Sequence, residues 1–98
     1  MVKLNKSIIV SGMEKNADDI RKFGVKRIGL FGSFLGRKQT SKSDVDILVT
    51  FDNVTFRRYI GLLQYLEKLF NKKVDLVNEK FLREELNYVK DEAVYARL

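Results

Sequence analysis

The sequence predicts a small α+β domain, α/β in the broad sense, in which helices cover one face of a mixed sheet of three or slightly more strands. Three observations predict it. Short runs of β-forming residues have apolar residues in alternation, other segments have apolar residues at helical spacing, and the segments follow the order α, β, β, α, β, α. At 98 residues, the chain is long enough for one domain, which we place at residues 1–98.

The first helix is predicted from the segment that begins at Ser11. Ser11 and Glu14 have the spacing of a capping box, and an extension upstream through residues 8–9 stays open. One helical face is then formed by Met13, Ala17 and Ile20. Gly24 follows as the expected helix stop.

Two strands are predicted next. Residues 25–31 are apolar and rich in β-formers, and the run ends at Gly32, which favours a turn. Residues 36–43 are polar and form a loop. Residues 44–51 then show the alternation of apolar and polar side chains that is typical of a strand.

The second half of the chain predicts a helix, a third strand and further helix. Apolar positions recur at helical spacing from Phe56 to about Asn71, and either Asn53 or Thr55 can cap the helix. Residues 74–77 form a short strand. One face of a C-terminal helix, or of two broken helices, is predicted from Leu82, Leu86, Val89, Ala93 and Ala96.

The composition limits the chemistry. The chain contains no cysteine and no histidine, which excludes disulfides, thiol nucleophiles, imidazole bases and thiolate zinc sites. Its apolar runs are too short for a bilayer span or a signal peptide, so we expect a cytoplasmic protein that does not enter membranes. Catalysis must therefore use carboxylates, hydroxyls, lysine, arginine and backbone groups.

The charge of the chain is basic, at +6 with a pI of about 9.7. Such a balance favours phosphate-rich ligands, nucleic acid or an acidic protein, and it is also typical of a merely soluble surface. The basic residues are scattered, and the aromatic residues do not alternate with them as in a platform for single-stranded nucleic acid. Nucleic acid is therefore not the expected partner.

An acidic pair marks the start of the second strand. Asp44 and Asp46 share one face of an extended strand, about 6 to 7 Å apart. Two ionised carboxylates at about 6 Å repel by about 3 kcal/mol at an effective dielectric near 20. A hard divalent cation such as Mg²⁺, bound also by nucleotide phosphates, would offset this repulsion.

The turn after the first strand suits the same ligand. Gly32 lets a phosphate approach the backbone, and a helical turn beginning at Ser33 would offer free N–H groups and a hydroxyl. Arg37 and Lys42 in the loop add positive charge. Asp75 could complete a carboxylate trio if the third strand lies beside the second.

These residues resemble a known family. Gly32-Ser33, ten residues and then Asp44-Val45-Asp46, within the run LFGSFLGRKQTSKSDVDILVTF, resemble the minimal nucleotidyltransferase (MNT) branch of the DNA polymerase beta-like nucleotidyltransferases. Many members read Gly-Ser-x-Ala-Arg-Gly, whereas here Leu35-Gly36-Arg37 moves the arginine by one residue. The resemblance implies that Gly32, Ser33, Arg37 and Lys42 bind the nucleotide. It also implies that Asp44, Asp46 and Asp75 are catalytic and bind two Mg²⁺ ions.

The resemblance further implies an activity and a partner. Members of this branch transfer a nucleoside monophosphate, here expected to be AMP from ATP, to a hydroxyl group. Many are antitoxins that modify a HEPN-domain protein, so a HEPN-type partner is expected. The resemblance does not decide between a homo-oligomer and a hetero-oligomer. The alternatives are an antitoxin that acts by binding alone and a basic nucleic-acid-binding module.

Overall fold

The computed structural model describes residues 4–36, 40 and 42–98. Over these residues the helices are Lys6–Lys15 (α1), Ala17–Arg21 (α2), Phe56–Phe70 (α3) and Tyr88–Glu92 (α4). The strands are Val25–Phe31 (β1), Val45–Phe51 (β2), Val74–Asn78 (β3) and Val94–Tyr95 (β4). No helix among the described residues is both long and apolar enough to span a bilayer.

The strands form one mixed sheet in the order β3-β2-β1-β4. β1 is antiparallel to both β2 and β4, and β2 is parallel to β3. A parallel pair needs a crossover connection, which α3 supplies. The predicted α+β class is confirmed, and β3 lies beside β2 as the carboxylate trio requires.

One face of the sheet carries the hydrophobic core. Alternate residues of the strands point towards this face because side chains in a strand alternate between its two sides. They pack with apolar residues of α1, α2 and α3. The fully buried members include Ile9, Met13, Ile20, Ile28, Leu30, Val45, Ile47, Leu62 and Leu66. Helices therefore cover this face, as the sequence predicted.

The N-terminal helix begins earlier than the capping box indicated. Asn5 is the N-cap, and its side-chain oxygen accepts the Ile8 N–H at 2.9 Å. Ser11 lies within α1, so the prediction of a helix start at Ser11 is wrong and the upstream extension is right. The helix breaks at Asn16, whose side-chain amide donates to the Gly12 carbonyl at 2.7 Å.

The C-terminal region also differs from the prediction. Instead of a continuous helical face, it contains two short 3-10 turns (Glu79–Phe81 and Glu84–Leu86), the five-residue α4 and the strand β4. β4 pairs with Gly29 and Leu30 of β1. This pairing with a distant strand overrides the local helical spacing of the apolar residues.

A buried carboxylate, Glu79, accepts hydrogen bonds from side chains of three strands. Arg27 donates to both carboxylate oxygens of Glu79, at 2.7 and 2.8 Å, and Tyr95 donates at 2.6 Å. Thr50 donates a further hydrogen bond. Burial alone would raise the pKa of Glu79, but the hydrogen bonds outweigh it and lower the pKa to about 2. These hydrogen bonds connect the turn after β3, where Glu79 lies, to side chains of β1, β2 and β4.

We expect Glu79→Gln to lower the free energy of unfolding at pH 7 by about 2 kcal/mol. Lowering the pKa from 4.5 to about 2 is equivalent to about 3 kcal/mol, but the half-exposed Arg27 is screened by water. Because the folded pKa is depressed, this stabilisation is present above pH 4.5 and is lost as the pH falls towards 2. Urea unfolding at several pH values measures it.

The exposed Glu84 provides the matched control. Glu84→Gln should leave stability at pH 7 within about 0.5 kcal/mol of the wild type. The difference in the free energy of unfolding between the wild type and Glu79→Gln should decrease as the pH falls from 5 to 2. If this difference in the free energy of unfolding stayed constant over the range, Glu79 would not stabilise the fold through its charge.

Candidate functional site

The site begins at the turn that follows β1. Gly32 has a positive φ of 78°, a conformation that glycine adopts more easily than other residues. It opens a 3-10 turn, Gly32–Leu35, at the place where the sequence predicted a turn after β1. Phe34 of this turn is only 2% exposed and anchors it in the core. The turn is thereby held on the sheet with Gly32 exposed and Ser33 half-buried.

The Asp46 carboxylate packs directly against this turn. A Cβ atom on Gly32 would lie 2.0 Å from Asp46 Oδ2 and 2.7 Å from its Cγ, so any larger residue at position 32 would collide with the carboxylate. The backbone N–H of Ser33 donates to the same carboxylate, so it is not the free donor that the sequence predicted. β1 and β2 place Phe31 opposite Asp46, which brings the turn to this point. The two halves of the predicted motif therefore meet.

Asp75 lies next to Asp46 on the neighbouring strand. The two residues are paired in the register of β2 and β3, and neighbouring strands are about 4.8 Å apart. Asp75 is exposed, and Asp44 is exposed just before β2. Burial raises the pKa of Asp46, and the negative charges of Asp75 and Asp44 raise it further, while the bond from Ser33 opposes the change. Three negative charges therefore act on one site.

Lys42 and Arg37, the two predicted loop cations, are not shown to contact this site. Lys42 lies in an exposed turn before Asp44, and its backbone N–H donates to the Thr40 hydroxyl at 3.2 Å. Arg37 lies outside the described residues, so its predicted contact with a phosphate stays a prediction. The described part of the loop thus places one of the two cations near the start of β2.

The donor set suits Mg²⁺ bound together with a nucleotide. Within residues 4–36, 40 and 42–98, no three acidic, imidazole or thiol groups converge enough to hold a metal ion by themselves. Mg²⁺ in nucleotide sites commonly uses one or two carboxylates and takes its other ligands from phosphates and water. The carboxylates here repel one another, and the exposed Gly32 lies directly beside Asp46. The residues therefore fit a cation that arrives with a triphosphate.

Tyr59 is a neighbour of the site that the sequence did not reveal. It falls within the apolar pattern of α3, yet its hydroxyl donates to the Leu76 carbonyl, directly after Asp75. Burial raises the pKa of Tyr59, and the charge of Asp75 raises it further. Only the packing of α3 across β3 shows this proximity, because residues 59 and 75 are distant in sequence.

Two relatives resemble part of the chain. Over 62 residues it is 47% identical to a Methanocaldococcus jannaschii protein that is provisionally named a protein adenylyltransferase. Over 63 residues it is 43% identical to the protein adenylyltransferase MntA of Thermococcus cleftensis. The matches cover 60% and 63% of this chain, and they span 62% and 64% of the lengths of the two relatives.

Solved structures share the fold. A structure described provisionally as a minimal nucleotidyltransferase is 28% identical with a TM-score of 0.79, covering 96% of this chain and 98% of that one. A toxin–antitoxin structure with AMP-PNP is 26% identical with a TM-score of 0.66, covering 94% and 72%. A structure of an MNT antitoxin in complex with a tri-AMPylated Shewanella oneidensis HEPN toxin shares the fold at 22% identity, a TM-score of 0.61 and coverage of 88% and 70%.

The match to a protein family covers most of the chain. Residues 13–98 match the nucleotidyltransferase domain, a range that includes the glycine turn and all three aspartates. The sheet, the turn and the acidic strand are therefore parts of one known kind of domain. The chain belongs to the nucleotidyltransferase domain family.

Proposed function

We propose that this chain is a protein adenylyltransferase that acts as an antitoxin in the cytoplasm. It transfers AMP from ATP to a hydroxyl group of a HEPN-type protein partner. The hydroxyl oxygen forms a bond to the α-phosphorus of ATP, the bond from that phosphorus to the bridging oxygen breaks, and pyrophosphate leaves. The hydroxyl proton is accepted by a carboxylate of the site.

One observation carries this proposal: the Asp46 carboxylate lies against the Gly32 turn and beside Asp75. A glycine turn with exposed backbone can bind phosphates, and adjacent carboxylates can bind the accompanying cation. Carboxylates that repel one another lower the stability of the fold unless a bound ligand offsets the repulsion. The relatives named as protein adenylyltransferases and the similar structure with AMP-PNP support the same assignment.

Each site residue has a proposed role. Asp44 and Asp46 would hold Mg²⁺, which neutralises charge on the phosphates when it is bound. Gly32 and Ser33 would bind and orient the triphosphate, with Arg37 and Lys42 as added positive charge. Asp75 would hold the second ion and accept the proton of the attacking hydroxyl, which requires it to lie beside the other carboxylates.

A protein acceptor explains the architecture better than a nucleic acid. The described residues form one four-stranded sheet and its helices, which is a small scaffold for holding a polymer. An acceptor delivered by complex formation would need no further domain. The complexes of similarly folded antitoxins with toxins provide a precedent for such a partner.

Transfer of label from α-labelled ATP tests this proposal. In the presence of Mg²⁺ and a HEPN-domain protein that binds this chain, we expect the label to appear on that protein. Asp75→Asn should reduce transfer by about 100-fold, the usual scale of a lost general base, while partner binding changes little. The exposed Asp52 gives a control, because Asp52→Asn should transfer normally.

Two results would contradict the proposal. Equal neutralisation of the partner by the wild type and Asp75→Asn, without any label on the partner, would favour an antitoxin that acts by binding alone. Strong salt-dependent binding of DNA or RNA that survives Asp44→Asn together with Asp46→Asn would favour a nucleic-acid-binding module.

A further inference from the structure

The strand that carries Asp75, β3, lies at an edge of the sheet. Its neighbour on one side is β2, and no strand of the described residues lies on its other side. An edge strand presents a row of backbone N–H and C=O groups that no neighbouring strand binds. Backbone groups without such partners open more easily than those of a central strand. The position of Asp75 therefore depends on what binds the outer edge of β3.

The outward backbone groups of β3 belong to the two residues that flank Asp75. The Lys73 carbonyl accepts the Val45 N–H of β2 at 3.0 Å, so residue 73 and every second residue after it turn their backbone groups towards β2. The backbone of Asp75 consequently faces β2. Val74 and Leu76 turn their backbone groups away from β2, towards the outer edge of the sheet.

Two side chains of α3 bind this outer edge. The Glu67 carboxylate accepts the Val74 N–H at 3.0 Å, and the Tyr59 hydroxyl donates to the Leu76 carbonyl. Both side chains are half-buried between α3 and the strand. Tyr59 lies near the start of α3 and Glu67 near its end, so the helix is bonded to β3 at two places. These two bonds fall on either side of Asp75.

We propose that Tyr59 and Glu67 are positioning residues for the Asp75 carboxylate. By binding the backbone before and after Asp75, they hold β3 in register with β2 and keep the carboxylate beside Asp46. Neither side chain contacts the substrate in this role, because both act through the backbone of β3. This inference rests on the proposed function, since that function makes Asp75 the proton acceptor and a ligand of the second Mg²⁺ ion.

Tyr59→Phe, which removes only the hydroxyl, tests this role. A displacement of about 1 Å can cost about 100-fold in rate, and the loss of one of two bonds should cost about tenfold at saturating ATP and partner. The Mg²⁺ concentration at half-maximal rate should rise, while partner affinity should stay the same. The melting temperature should fall by only a few degrees, since one hydrogen bond is lost. The amide protons of β3 should exchange faster with solvent.

Tyr65→Phe is the matched control. Tyr65 lies on the same helix, but its hydroxyl donates to Asp19 of α2 at 3.2 Å. This variant should transfer AMP at the wild-type rate. Glu67→Gln keeps an oxygen that can accept the Val74 N–H, so it should retain more activity than Glu67→Ala, which removes the acceptor. Equal losses of activity in these two Glu67 variants would contradict the positioning role of that bond.

A double-mutant cycle distinguishes positioning of Asp75 from a general effect on the fold. If Tyr59 acts through the Asp75 carboxylate, Tyr59→Phe should cause little further loss of transfer when residue 75 is already asparagine. The same tenfold loss with and without the Asp75 carboxylate, as expected at about full additivity, would overturn the proposal.

The positioning role and the proposed function can fail separately. If the wild type modifies the partner and Tyr59→Phe modifies it at the same rate, the positioning role is wrong and the proposed function stands. If no preparation transfers AMP, yet the β3 amide protons exchange faster in Tyr59→Phe, the hydroxyl holds β3 as inferred and the proposed enzymatic function is wrong.

Discussion

Asp46→Asn is expected to lower the rate of AMP transfer by about 1000-fold. Asp46 is the carboxylate at which the other parts of the site meet: it lies against Gly32, accepts the Ser33 N–H and is paired with Asp75. Asparagine keeps the shape and an oxygen acceptor but loses the charge that a divalent cation requires. Single-turnover transfer at saturating ATP and partner measures the loss.

The melting temperature distinguishes a direct loss of AMP transfer in Asp46→Asn from a loss caused by unfolding. Since the pKa of Asp46 is raised in the folded state, ionising it costs stability as the pH rises through that pKa. In EDTA at pH 7, Asp46→Asn should therefore melt at the same temperature as the wild type or higher. An active Asp46→Asn enzyme, or one that melts several degrees lower in EDTA, would show that Asp46 is a structural residue.

Gly32→Ala is expected to lower transfer by about 100-fold and the free energy of unfolding by about 1 to 2 kcal/mol. The new Cβ would lie 2.0 Å from Asp46 Oδ2, so the carboxylate must move, and the φ of 78° is unfavourable for alanine. The matched control is Gly36→Ala. Its Cβ would meet no atom within 4 Å, and its φ of −102° suits alanine.

A double-mutant cycle sharpens the Gly32 prediction. If Gly32→Ala acts by displacing the Asp46 carboxylate, it should have little further effect on transfer when Asp46 is already asparagine. Full additivity of the two losses would contradict the proposed contact between the turn and the carboxylate. Activity close to wild type in Gly32→Ala would contradict the need for glycine.

The sequence predicted the elements whose signals are local. The β1 boundaries match the run of β-formers, and Thr55 caps α3 by accepting the Arg58 N–H at 3.1 Å. The capping-box spacing at Ser11 was misleading because Asn5, upstream, provides an equivalent cap. A local motif cannot decide between two competent caps, since the preceding residues determine where the helix begins.

The sequence could predict only part of the candidate site. The spacing of Gly32, Asp44 and Asp46 predicted the site, and the register of β2 with β3 puts Asp75 where the trio requires it. Tyr59 and Glu79 were missed because distant residues define their surroundings. The roles of Gly32, Asp44, Asp46 and Asp75 in catalysis stay predictions.

The intact mass of the HEPN-domain partner tests the central claim most directly. After incubation with ATP, Mg²⁺ and this chain, we expect the partner to gain the mass of one or more AMP groups, attached to a tyrosine or another hydroxyl residue. The variant Asp44→Asn with Asp46→Asn should leave the mass unchanged. A partner that is bound and neutralised by the wild type, yet keeps its original mass, would contradict AMP transfer.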